Sequence, residues 1–294
     1  MSKYRPIQAK SIIQSVKGDW FGSNYNMNLY RGCEHRCIYC DSRSACYQIE
    51  DFDHEVLYKV NAIELLQNEL ATKKRKGVIG TGAMCDPYMP AEEKVGLTRQ
   101  ALEVIHARKW PIELMTKSDR VLRDKDLLSA INQDTSAVVT FTITTPHDEL
   151  SRKIEPYASV SSKRIEAIRE LIASGVVAGA SICPVLPYIT DDMDDLKSIA
   201  SQVKDAGGEY CILMMGVTLR DVQRAYFYQE LDKNFPSMRK VYEESFGDDY
   251  HAVLDDMRGK SEEYKAYCES IGLKYKMSDV PRWPKEQIEQ ISLF

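Results

Sequence analysis

No stretch of this chain approaches the ~20 consecutive apolar residues that a membrane-spanning helix needs. Met1 to Ser11 carries charges but no apolar core of the kind found in secretory signals. On these two absences the chain is expected to be cytoplasmic, with no membrane partner. Basic charge is also short, because 39 Lys and Arg against 44 Asp and Glu leave a formal net charge of −5. That balance argues against a broad non-specific nucleic-acid surface, which requires clustered cations, although a local basic groove is compatible with it. With no export signal, the eight cysteines read as reduced or metal-bound rather than as a disulfide framework. Outside one triplet, Cys46, Cys85, Cys183, Cys211 and Cys268 show no second cluster-like spacing and read mostly as buried small apolar residues. What is present is ordinary: 44% hydrophobic and 28% charged residues over 294 positions suffice for one large α/β domain and an appendage.

The triplet is Cys33, Cys37 and Cys40, spaced Cys-x3-Cys-x2-Cys within Tyr30 to Asp41. Three thiols so close must share a tight loop if their sulfurs are to converge on one metal centre. Thiolates select zinc or iron–sulfur clusters, and ferredoxin-type clusters use four cysteines. Only three are local here, so the simplest functional reading is a [4Fe-4S] cluster with one iron open to a reacting ligand. A structural zinc site completed by His35 or a distant cysteine stays open, although zinc spacing usually pairs two separated ligand couples.

Around the triplet the chain alternates. Strands are predicted at Asn26–Tyr30, Gly77–Gly82, Ile112–Thr116, Ala137–Thr144, Val176–Cys183 and Tyr210–Met214. Between them lie helical faces such as Ile63/Leu66/Leu70, Leu97/Ala101/Leu102/Ile105 and Ile165/Ile168/Ile172. Lys73-Lys74-Arg75-Lys76 reads as a solvated end of the first helix, and Pro184 to Pro187 as the stop after the fifth strand. Six β–α alternations call for a parallel sheet, either doubly wound or a partial barrel. In both, reactive loops lie past the carboxyl ends of strands, where Cys33, Asp86, Lys117, Thr144 and Pro184 fall. After Thr218 the pattern is helical to about Gly272. Tyr226-Phe227-Tyr228 in that segment could stack bases, but at helical spacing at least two of the three should pack. The segment is also expected to cover the open side of a barrel.

The Cys-x3-Cys-x2-Cys run with Tyr39 before its last cysteine resembles the signature of the radical S-adenosylmethionine (SAM) superfamily. Asp86-Pro87-Tyr88-x-Pro90-Ala91-Glu92 and Thr116-Lys117-Ser118 are similar to segments of its spore photoproduct lyase-like branch, often labelled DNA repair photolyase. The resemblance selects an open (β/α)6 barrel with a C-terminal helical extension. It divides the chain into an N-terminal extension (1–24), the barrel (25–217), a helical region (218–280) and a tail (281–294). It implies a [4Fe-4S] cluster on Cys33, Cys37 and Cys40 that cleaves SAM reductively, with electrons from a flavodoxin or ferredoxin. It also implies SAM contacts from Tyr39, from the turn Gly80, Thr81 and Gly82, and from Asp86, Lys117 and a hydroxyl of Thr142 or Thr144. Lys117 would pair with the SAM carboxylate; without the resemblance it is equally a surface lysine.

One position departs from the branch. Spore photoproduct lyases carry a hydrogen-donating cysteine three residues before the aspartate, where this chain has Ala83. The nearby thiol is Cys85, a hydrogen donor or a buried structural residue. At the other end, Gln290-Ile291-Ser292-Leu293-Phe294 resembles the peptide by which bacterial DNA enzymes dock on the replication sliding clamp. The reading is therefore a radical SAM enzyme acting on DNA in repair or modification. The alternatives are radical maturation of a peptide or small molecule, and a redox-sensing iron–sulfur binding protein.

Overall fold

Ala137–Thr142 (β5) is buried at all six positions, as expected of a parallel strand covered on both faces. Ala137, Val139 and Phe141 join the core beneath the helices, while Val138 packs with Phe21, Tyr210 and Ile212 on the opposite face. Such two-sided burial fixes register, since a one-residue slip would exchange the two faces. A computed structural model of the protein describes residues 3–284, apart from the side chain of Asp19. The clamp-like residues Gln290 to Phe294 lie outside that range.

β5 sits in a seven-stranded sheet with Ile13–Trp20 (β1), Ser23–Met27 (β2), Ile79–Thr81 (β3), Ile112–Thr116 (β4), Val177–Val185 (β6) and Cys211–Met215 (β7). β2 to β7 are parallel and lie side by side in chain order, with β1 antiparallel to β2 at one edge. The crossovers contain Ala62–Thr72 (α1), Leu97–Ala107 (α2), Lys125–Asp134 (α3), Ser161–Ala173 (α4) and Met193–Asp205 (α5). A doubly wound sheet needs a reversal of strand order, and there is none here. Right-handed crossovers in one unbroken direction put every helix on the same face, so the sheet forms a partial (β/α)6 barrel. Among the described residues β7 does not pair with β1, and the barrel stays open.

The helices are held by short apolar stripes: Leu66 and Leu70 on α1, Leu128 and Ile131 on α3, Leu196, Ile199 and Val203 on α5, all buried. Each such side chain contributes roughly 1.5–3 kcal/mol by burial. Asp192 caps α5, its carboxylate accepting from the amides of Asp194 and Asp195 at 3.0 and 3.1 Å.

Four expectations are corrected. The first barrel strand is Ser23–Met27 rather than Asn26–Tyr30, because its neighbour β3 ends at Thr81 and offers no ladder beyond Met27. Tyr30–Arg31 pairs instead with Glu55–Lys59, which also pairs with Lys3–Ile7. The N-terminal extension thus contains the strands Lys3–Ile7 and Ile13–Trp20; its low apolar content hid them. Pro184 does not stop β6, which runs to Val185; β7 shifts register between Leu213 and Met215, and the irregularity accommodates a residue with no amide proton. Finally, α1 ends at Thr72, and Lys76 is not merely solvated: its ammonium donates to the carbonyls of Arg108 and Lys109 at 3.0 and 3.1 Å, capping the end of α2.

The C-terminal segment forms Asp221–Asn234 (α6), Met238–Phe246 (α7) and Met257–Ser270 (α8). Phe227 and Tyr228 are buried in one cluster with Cys37, Ile38, Tyr39, Tyr242 and Phe246, so two of the three aromatics pack, as their spacing predicted. Tyr226 is half-buried under the Arg43 guanidinium, 3.5 Å from ring centroid to carbon. α6 and α7 therefore back the cysteine loop, while the face of the sheet away from the helices is filled by Phe21, Met277 and Val280.

Candidate active site

The loop that carries the thiols leaves Tyr30–Arg31 through Gly32, whose φ is +82° and whose missing Cβ would lie 2.4 Å from the Glu55 carbonyl oxygen. Only glycine fits there. The loop is then fixed from the far side of the chain: Ile38 donates its amide to Ile154 O at 3.0 Å and Tyr157 donates to His35 O at 3.3 Å. The Tyr39 hydroxyl donates to Glu155, and Gln223 donates to the Tyr39 carbonyl at 3.2 Å. Glu155 in turn faces Arg164, Oε2 to Nη2 2.5 Å, an ion pair with both side chains fully buried though not aligned as a hydrogen bond. Arg164 also donates to the carbonyls of Ser159 and Thr142 at 2.6 and 2.7 Å.

Cys33, Cys37 and Cys40 line one cavity together with Gly82, Ala83, Cys85, Asp86, Lys117 and Thr142. Among the described residues no three His, Cys, Asp or Glu side chains converge as ligands of a single ion, and a cubane spaces its thiolates more widely than one ion does. Burial pushes the Cys37 thiol up to about 12, so the positive charge of bound iron would be needed to hold it as a thiolate. His35 is buried with both ring nitrogens unpartnered; its Nδ1 lies 3.4 Å from the Asp86 carboxylate without hydrogen-bond geometry. A buried loop offering three soft donors and an unsatisfied imidazole fits a polar group seated beside it.

Asp86 is used up locally. Its Oδ1 accepts from Tyr88 N and Thr116 Oγ1, both at 2.8 Å, and its Oδ2 from Lys117 N at 2.6 Å. It thereby pins the loop after β3 to the end of β4 and aims Lys117, whose ammonium is 5.8 Å from the Tyr39 ring centroid. The rest of that segment is a clasp. Tyr30 donates to Glu92, which also accepts from Thr98 N and from Arg123 at 2.8 Å, and Tyr88 donates to Asp124 at 3.0 Å.

Four predicted contacts do not line this cavity, Tyr39 among them. Gly80 and Thr81 line a neighbouring one, and only Gly82 of the glycine turn borders the thiols. Thr144 is fully buried with no partner for its hydroxyl, while Thr142 lines the cavity. Cys85 also lines the cavity, but its thiol donates to the Tyr30 carbonyl at 3.2 Å, and burial pushes it up to about 12. Glu155, Arg164 and Gln223 were not read from the sequence, since no spacing marks a charged pair buried beneath a loop 116 residues earlier.

The radical SAM superfamily profile matches residues 27–200, more than half of the chain. An uncharacterised protein of Methanocaldococcus jannaschii is 31% identical over 237 residues, covering 80% of this chain and 85% of that one. An uncharacterised protein of Mycobacterium tuberculosis is 28% identical over 228 residues, covering 76% and 67%. Among solved structures, a spore photoproduct lyase mutant with bound AdoMet and dinucleoside spore photoproduct superposes with a TM-score of 0.68 at 17% identity, over 92% of this chain and 80% of the other. The chain belongs to the radical SAM superfamily. Its cofactors are a [4Fe-4S] cluster and SAM, and the three thiols that line the cavity have donor chemistry that fits the cluster.

Proposed function

We propose that this radical SAM enzyme acts on nucleic acid, and on DNA in particular, in repair or modification. When bound, the cluster supplies the electron that cleaves SAM to methionine and a radical able to take hydrogen from an unactivated C–H bond. The chain's own residues hold and screen that chemistry: Asp86 orients Lys117 toward the cavity, and α6 and α7 close the outer side of the loop.

The observation that carries the nucleic-acid reading is an aromatic–cation pair on the rim of the cysteine loop. Tyr157 is 54% exposed, its amide is bound to His35 O, and the Arg36 guanidinium lies 4.9 Å over its ring. Such a pair presents a stacking face and a phosphate-compatible charge together. Fold likeness to spore photoproduct lyase over 92% of the chain supports it. A tail that docks on a sliding clamp would offset the weak grip of an acidic protein by raising its effective concentration on DNA. A flavodoxin- or ferredoxin-type reductant completes the reading.

The test is hydrogen transfer from deuterated substrates to 5′-deoxyadenosine by the anaerobically reconstituted enzyme. DNA should donate deuterium; transfer from peptides or small molecules alone would overturn the reading, and no 5′-deoxyadenosine at all would favour the redox sensor. Removing Gln290 to Phe294 should abolish retention on immobilised clamp, and unchanged retention would refute that part.

A further inference from the structure

The end of the barrel away from the thiol-lined cavity carries a cluster of cations that the radical chemistry leaves unused. The run Lys73-Lys74-Arg75-Lys76 joins α1 to β3, and Arg108-Lys109 joins α2 to β4. β3 and β4 are neighbours, with Ile79 in register with Ile112, so the two runs lie side by side at the amino ends of their strands. Gly82 and Lys117, at the carboxyl ends of the same strands, border the thiol-lined cavity. At ~3.3 Å per residue, the length of β4 puts roughly 17 Å between the cluster and that mouth.

The cluster is held in place by its own surroundings. The Lys73 ammonium lies 4.6 Å over the ring of Tyr25, whose hydroxyl donates to the Arg75 carbonyl at 2.9 Å. Buried Trp110 braces Tyr25, with ring centroids 5.8 Å apart. Lys76 ties the first run to the second through the carbonyls of Arg108 and Lys109. Lys73 and Lys76 thus hold the backbone, and Lys74, Arg75 and Arg108 stand exposed. Among the described residues none of these three meets a carboxylate, whereas Arg120, Arg169 and Arg239 each do. Glu69, in the last turn of α1, accepts from the amides of Ile12 and Ile13, both at 2.9 Å, and Asp134 faces His106 and Lys109 at 3.6 and 3.7 Å. Both acids are engaged by other groups.

Unpaired cations fixed on a chain of net charge −5 select an anionic partner. Its class follows from what accompanies the charge. Protein interfaces have centres depleted of lysine and of charge generally, whereas nucleic-acid interfaces are polar and strongly positive. Arg75 and Arg108 also present planar forks that suit phosphate oxygens.

We propose that Lys74, Arg75 and Arg108, flanked by Lys76 and Lys109, form a docking surface for the phosphate backbone of duplex DNA at the amino end of the barrel, separate from the reactive mouth. Such contacts position DNA without reading its sequence, and here they leave the mouth free. Choosing DNA rests on the nucleic-acid reading; the unpaired cationic surface does not.

The test is fluorescence anisotropy of a labelled duplex of about 20 base pairs and arbitrary sequence, titrated with the full-length, anaerobically reconstituted enzyme between about 50 and 200 mM NaCl. The triple variant Lys74→Gln/Arg75→Gln/Arg108→Gln keeps the structural Lys73 and Lys76. It should weaken binding at least about tenfold and flatten the slope of log K against log [salt] by roughly 2–3, since each phosphate contact contributes about 0.9. Its thermal midpoint, and the 5′-deoxyadenosine it forms from SAM without DNA, should match wild type. Wild-type affinity and slope in the triple variant would overturn the surface, as would absence of duplex binding by the wild type. Equal competition by polyglutamate would also overturn it, assigning the cluster to an acidic protein. The two readings are separated by the mouth. Loss of binding in Arg36→Gln but not in the triple variant sinks this surface alone, whereas loss in the triple variant with no deuterium transfer from DNA sinks DNA as substrate and leaves the docking surface.

Discussion

The hydroxyl of Tyr39, next to the last thiol of the cysteine loop, donates to the carboxylate of Glu155, and Glu155 is paired with Arg164 where neither is exposed. The loop is thereby anchored to the segment that follows β5. Glu155→Gln leaves Arg164 buried without its counter-charge, which costs on the order of 3–5 kcal/mol. Urea denaturation should show that loss, and the double variant Glu155→Gln/Arg164→Met should recover most of it.

Alanine at Cys33, Cys37 or Cys40 should each drop the iron content of reconstituted protein to a small fraction of wild type and abolish 5′-deoxyadenosine formation. Iron analysis and visible absorbance read this. A variant that kept full iron would remove that cysteine from the ligand set.

Asp86→Asn replaces one of two oxygens that accept from Thr116, Tyr88 and Lys117 by an amide donor. Two donors would then face each other, at a cost of about 1–3 kcal/mol. Because the Lys117 backbone is positioned by that carboxylate, SAM affinity in equilibrium dialysis should fall as well.

Cys85 spends its thiol proton on the Tyr30 carbonyl, whereas Ala83 borders both cavities. Cys85→Ala should leave turnover and product distribution unchanged. Ala83→Cys places a thiol where a hydrogen donor would act, and deuterium returned to product from solvent should rise. A changed product distribution in Cys85→Ala would assign the hydrogen-donor role to that residue.

Glu113 gives a pH signature. Its carboxyl is raised to about 8 by burial, while in the unfolded chain it is an ordinary glutamate at roughly 4.3. Between these values the folded state holds the extra proton, so this group makes stability fall as pH rises, by about 1.4 kcal/mol per unit at most, and the decline stops above the folded value. Comparing denaturation of wild type and Glu113→Gln from pH 5 to 8 isolates the slope, which the variant should lack.

Most of the barrel was legible because its strands are buried on both faces and its helices carry single apolar stripes. Ile112–Thr116 appears with its expected bounds, and the others drift by a few residues. The antiparallel β1, with Gly18 and few apolar residues, was hidden because edge strands need little hydrophobic content. In the site, the thiols were visible as a spacing. Glu155 and Arg164 were not, since what makes them informative is burial, which a charged residue in a sequence does not announce.

The contacts from Ile154 to Tyr157 that shape the cysteine loop also set an order of events during synthesis. Tyr39 and its partner Glu155 are 116 residues apart, and ribosomes add about 5–20 residues per second. The three thiols therefore leave the ribosome on the order of ten seconds before the segment that docks them, exposed and unorganised for that interval. Iron delivery belongs after that docking, and oxidants or stray zinc have the first opportunity at the loop.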